Sequence, residues 1–366
     1  MEAKVDYKYK LTEYLRNKFP NSVLSESGSF EKYTDVEEEY NALRYGVGIR
    51  DLSDSTNLKI SGNDSLDFLH RISTNSVKDI NEYELVKTLF TNDKGRIIDR
   101  VLMLRLSNYC LLVGSYNEEN KLQRWLDRYV IMEDINIENL TGRYLILELT
   151  GKQVDSYLTL ICGKAIEDLD YDKIILEQLE DTTFYLFKSK NYNGENKYWI
   201  LAYIEDAENL IESLSNNKSV FDMAFVGSKA YETYRVEKGI PVYPNELNDD
   251  FNPHELNLLS EVDFNKGCYI GQEVIARLET YDKVQKKLTA VELENGLLTE
   301  HKLKLFNSNK EEVGSLTSIA NSVIRNKNVG LAVIRKKYRE EGTELNVIDS
   351  ENNTYTVKVI KLPITK

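Results

Sequence analysis

Residues 266–277 read KGCYIGQEVIAR and set Lys266, Cys268, Tyr269, Gln272, Glu273 and Arg277 around two glycines. No other stretch of the chain gathers as many reactive and hydrogen-bonding groups. Gly267 and Gly271 predict a loop with unusual backbone angles or a close approach to the backbone. Beyond Gly271, the run from Gln272 to Leu278 has the polar start and composition of a first helical turn. Cys268 therefore stands just ahead of a helix start and two residues after a lysine. Both features favour the thiolate, so the pattern suits a reactive thiol. The competing reading is a cysteine used as a small buried hydrophobe, the commoner case for a lone cysteine.

The remaining inventory narrows the chemistry. Cys110 and Cys162 lie in apolar runs typical of a core, and no CxxC pair exists. A permanent zinc or iron–sulfur site is not expected, because such sites take four ligands with local pairing. With three histidines, His70, His254 and His301, a histidine triad has little material. The net charge of −13 opposes association with a polyanion. The one basic run, KVQKK at 283–287, reads as a solvated segment, so direct nucleic-acid binding is not expected. No apolar run approaches a membrane span. The first residues, MEAKVDYKYKLTEYLRNKF, lack the apolar centre and cleavage site of a secretory signal. A cytoplasmic protein with no membrane association is the expectation.

The elements that must position the loop follow from periodicity. Tyr7, Leu11, Tyr14, Leu15 and Phe19 recur at helical spacing, and Pro20 ends the pattern. Residues 37–44 form a second helical patch, and residues 57–61 alternate as a half-buried strand. Two apolar runs flank Asn92, Asp93, Lys94 and Gly95, which predicts a hairpin. An amphipathic helix is expected over 118–130, strands over 143–149, 184–187 and 198–201, and helices over 151–158 and 207–214. Strands, hairpins and helices mixed in this way predict an α+β fold. From Leu288 onward, six short strand-like segments separated by Gly and Asn turns predict a small β-barrel. A chain of 366 residues divides into two or three domains. The expected division is an α+β region over 1–284, with subdomains of roughly 1–150 and 151–284 that could interleave, and a barrel over 285–366.

In this context the chain resembles the superfamily of the glycine-cleavage aminomethyltransferase, or T-protein, and is most similar to its folate-binding YgfZ-type members. The resemblance runs from about Val36 to the C-terminus. It rests on NALR at 41–44 with GVGIRDLS at 46–53, LFTNDKGRIID at 89–99, YRVEKGIP at 234–241, NPHE at 252–255, and VGSLTS at 313–318. The YgfZ-type assignment rests on KGCYIGQE with Arg277 beyond it, since aminomethyltransferases carry a related segment without the cysteine. This implies two ferredoxin-like α/β subdomains plus the barrel. It also implies tetrahydrofolate or a derivative as ligand. The function implied is an accessory role in assembly or repair of iron–sulfur enzymes, with effects on cluster-dependent tRNA modification.

The resemblance also assigns residues. The aminomethyltransferase hairpin ends in two adjacent aspartates, the second placed against the reacting folate; here those positions are Asp99 and Arg100. An arginine stays protonated and cannot act as a base, which argues against a standard aminomethyltransferase. Asp99 faces the other side of the strand unless a bulge turns it. Glu237 matches the family's pterin-recognising glutamate, Lys266 stands at a folate-binding arginine, and Ser115 lies roughly at a ligand-contacting asparagine. Tyr269, Gln272, Arg277 and Arg100 complete the expected cofactor-binding set. Cys268 is the expected reactive thiol and a transient metal ligand. Partners implied are folate and iron–sulfur proteins or their assembly factors, with a monomer expected. The alternative is a folate-dependent aminomethyltransferase or demethylase passing a one-carbon unit to tetrahydrofolate.

Overall fold

The computed structural model describes residues 7–116, 120–190, 195–280, 284–294 and 302–365. Residues 281–283, where the basic run begins, and His301 fall outside that set. The chain forms two compact units, each assembled from separate stretches. The first comprises Met1–Ser65, Ile80–Val86 and Met103–Tyr231; the second comprises Leu66–Asp79, Lys87–Leu102 and Glu232–Lys366.

The first unit is built on a six-stranded sheet. Its strand order is Ile174–Leu179, Thr182–Lys190, Asn196–Tyr203, Tyr144–Thr150, Val47–Asp51, Met223–Phe225. Four pairings are antiparallel and the last is parallel. Period-two alternation sends Leu145, Leu147, Leu149, Tyr198, Ile200, Phe184 and Leu186 to one face. There they pack with Leu11 and Leu15, with Tyr157 and Leu158, and with Leu210 and Leu214. These come from helices Tyr7–Lys18, Val154–Cys162 and Ala207–Asn216. The expected helix over 118–130 is shorter, Lys121–Asp127, and residues 117–119 lie outside the described set.

The predicted hairpin joins strands Glu84–Thr91 and Ile97–Leu106, each of which has residues in both units. Its turn is closed by bonds from Asn92 N to Arg96 O and from Gly95 N to Asn92 O, each 2.9 Å. The Asn92 carboxamide adds bonds from Lys94 N and Arg96 N at 3.0 Å. Asparagine and left-handed Gly95 are the residues such a turn demands.

In the second unit the six C-terminal segments form a closed barrel. The order around it is Lys286–Leu293, Lys327–Arg335, Glu312–Ser322, Leu303–Phe306, Glu344–Ile348, Thr354–Ile360. Val291, Leu305, Leu316, Ile334, Val347 and Val357 fill it, and closure leaves no strand edge open. Beside it stands a polar network that periodicity did not suggest. Fully buried Arg235, in helix Ser228–Lys238, bonds Glu232 Oε1 at 2.5 Å, Ser318 Oγ at 2.7 Å and buried Glu246 at 3.3 Å. Glu246 in turn accepts from Thr317 and Ser318 of the barrel, both at 2.6 Å.

Candidate functional site

Lys266 is buried, and its ammonium is surrounded by backbone carbonyls. Nζ donates to His70 O at 2.5 Å, Ser73 O at 2.7 Å and Asn75 O at 2.7 Å. These oxygens lie at the end of helix Ser65–Ile72 and in the turn that leaves it. The last carbonyls of a helix lack intrahelical partners and favour a cation. An ammonium has three donors, and here all three meet protein oxygens. Burial pulls the Lys266 pKa down to about 8, and Asp263 acts in the opposite direction.

The residues that follow pass from surface to interior. Gly267 and Cys268 are exposed, whereas Tyr269 is buried with its ring centroid 5.3 Å from Lys266 Nζ. The Tyr269 hydroxyl has no hydrogen-bond partner among the described residues, and burial, then Asp263, pushes its pKa up to about 12. Ile270 O accepts from Thr91 Oγ1 at 2.7 Å. Gly271 has φ +85°, and a Cβ there would lie 2.5 Å from Asn92 O and 2.8 Å from Thr91 Oγ1. Only glycine allows the loop to lie this close to the hairpin. Helix Gln272–Thr280 then begins, with Ile275 buried, Gln272 half-buried and Arg277 exposed. Buried His254 donates from Nε2 to Ile275 O at 2.8 Å.

On the hairpin, Asp99 is buried and accepts from Arg100 N at 2.8 Å. Arg100 turns its guanidinium onto Glu261, which is 3% exposed. Nε lies 2.9 and 3.0 Å from the two carboxylate oxygens, and Nη2 is 2.5 Å from Oε1. This charge-assisted fork is among the stronger side-chain pairings. Thr74 ties it to the lysine cage: its Oγ1 donates to Glu261 O at 2.7 Å, and it sits between Ser73 and Asn75, whose carbonyls hold Lys266.

Glu237, 1% exposed, sits at the end of helix Ser228–Lys238. Its Oε1 accepts from Ser322 Oγ at 2.7 Å and Ile324 N at 3.3 Å, both in the barrel part of the chain. Asp99, Arg100, Glu237, Lys266, Cys268, Tyr269, Gln272 and Arg277 thus all belong to the second unit; half-buried Ser115 belongs to the first. Within the second unit, contacts join Lys266, Tyr269, Arg100 and Asp99 through the 73–75 turn, while Glu237 is tied to the barrel. Three groups in this arrangement went unread in the sequence. Glu261 is one acid among many and meets Arg100 from 161 positions away. Thr74 and Thr91 act through backbone contacts that no motif marks.

Together these features define a mixed α+β protein with a closed barrel and a glycine-bounded loop backed by buried charge. The GCVT N-terminal domain model matches residues 7–266, and the glycine cleavage T-protein C-terminal barrel domain matches residues 286–366. The chain therefore belongs to the glycine cleavage T-protein family, whose members use tetrahydrofolate. An aminomethyltransferase of Caldanaerobacter subterraneus subsp. tengcongensis is 27% identical over 323 residues, 87% of this chain and 84% of the relative. One from Geobacillus sp. is 27% identical over 342 residues, 92% of each chain. The glycine cleavage system aminomethyltransferase T of Bartonella henselae has the same fold, with a TM-score of 0.79 at 19% identity, covering 98% of this chain and 96% of its own. A buried hydroxyl and a buried carboxylate are the kinds of group a reduced pterin would pair with. Tyr269 keeps a buried hydroxyl with no partner among the described residues, which costs stability until it is paired, and Glu237 is a buried acceptor held to Ser322 and Ile324.

Proposed function

We propose that this chain binds tetrahydrofolate or a derivative through its second unit, and that it acts as an accessory protein in iron–sulfur enzyme assembly or repair rather than as an aminomethyltransferase. One observation counts against aminomethyl transfer, while the accessory role rests on the resemblance. Arg100 occupies the position where the resemblance places the transferase carboxylate, and it is forked onto buried Glu261. A guanidinium held this way cannot accept a proton or stabilise a cationic nitrogen. Glu237 and the Tyr269 hydroxyl are the groups we assign to the pterin, the carboxylate accepting N–H donors and the hydroxyl donating. A reduced folate supplies nitrogen atoms able to take up a one-carbon unit. Cys268, exposed between buried Lys266 and Tyr269, is the thiol we assign to a partner iron–sulfur protein or its assembly factor.

The relatives' names support a second reading, aminomethyl transfer to tetrahydrofolate. Asp99, a buried carboxylate one residue from Arg100, is the group it would use. The two readings separate in one assay with tetrahydrofolate and an aminomethyl donor. The accessory reading expects no methylenetetrahydrofolate above background; turnover that disappears in Asp99→Asn would establish transfer instead. In cells lacking the wild-type protein, Cys268→Ser is expected to fail to restore cluster-dependent enzymes, including those of tRNA modification. Full restoration would remove the thiol from the account.

A further inference from the structure

We infer that Lys266 is the positioning residue of the Cys268 loop, an ammonium plugged into a three-carbonyl cage that fixes where the thiol is presented. The inference rests on the reading of Cys268 as the working thiol. A point charge with three tetrahedral donors matches three converging carbonyls, a geometry that a planar guanidinium reproduces poorly. With His70, Ser73 and Asn75 each accepting a bond of 2.7 Å or less, the ammonium is committed to the cage and not to a ligand.

The loop is pinned again just beyond the thiol. Thr91 holds Ile270 O, Gly271 lies against Asn92 O, and Tyr269 is turned inward. Between these anchors only Gly267 and Cys268 face solvent. A Cβ on Gly267 would meet nothing within 4 Å, so the projecting part of the loop is not held by its own packing. Its position therefore depends on the anchors, and Lys266 is the one on the N-terminal side. Lys266 acts on Cys268 by placement, because its donors point away into the 70–75 turn.

The test uses chemical rescue. Lys266→Ala removes three methylenes and the ammonium, which together equal n-propylammonium. Amide hydrogen exchange of Gln272 and Ile275, whose N–H groups bond Tyr269 O and Gly271 O at the far end of the loop, is expected to speed up at least tenfold in this variant, with exchange in the barrel strands unchanged. Added n-propylammonium should restore most of the protection. Tetramethylammonium at equal ionic strength, lacking N–H donors, should not. Lys266→Met, which keeps an apolar stem of similar length, should lose protection without rescue; it also serves if the alanine variant does not fold. Unchanged exchange at Gln272 and Ile275 in both variants, or equal rescue by both cations, would overturn the inference. Cys268→Ser should keep wild-type protection. If it restores cluster-dependent enzymes while Lys266→Ala still loosens the loop, the thiol reading falls and the lock stands.

Discussion

Residue 100 sets what the hairpin can do. An arginine forked on a carboxylate that is 3% exposed satisfies both charges, and removing the arginine leaves a buried carboxylate uncompensated. Glu261→Gln is expected to lower stability by about 3 kcal/mol, and Arg100→Met by a similar amount. The double replacement should cost less than the sum, which a double-mutant cycle in urea would reveal. Lys266 gives a pH signature. Its folded pKa, about 8, lies below the ordinary value of 10.5, so between those pH values the unfolded chain binds more protons than the folded one. Stability should therefore rise with pH across that window, by about 1–2 kcal/mol relative to Lys266→Met. Urea midpoints at pH 7.5 and pH 10 would measure the difference. At this scale the sequence was informative where chemistry is locally dense, as in the 266–277 loop. It was silent on Glu261 and the lysine cage, because those contacts span 161 and more than 190 positions.

The hairpin and barrel were readable as elements because both are short apolar runs broken by asparagine and glycine turns. Helix Ser228–Lys238 was not, for a physical reason. Tyr234, Arg235, Val236 and Glu237 are buried in succession, so no apolar stripe marks a face, and two of the four are charged. Their burial is offset by the bonds to Glu246, Ser318 and Ser322. Glu246→Ala should therefore destabilise by about 3–5 kcal/mol, seen as an earlier urea transition of the second unit. Gly271→Ala tests the loop against the hairpin. The left-handed φ and the 2.5 Å approach to Asn92 O predict a loss of at least about 2 kcal/mol, whereas Gly267→Ala, with open space around it, should be nearly neutral.

For the whole molecule, the mixed α+β class and the six-stranded barrel were legible in the order of the elements. The composition of each unit was not, since Leu66–Asp79 and Lys87–Leu102 join residues beyond 231, and that depends on contacts between distant segments. The family match over 7–266 and 286–366 makes folate the ligand to test first. The most direct measurement is a calorimetric titration of the whole chain with tetrahydrofolate, wild type beside Glu237→Gln. Saturable binding of one folate per chain, weakened about tenfold by the substitution, is the predicted result. Absence of binding by the folded wild-type chain would contradict the account.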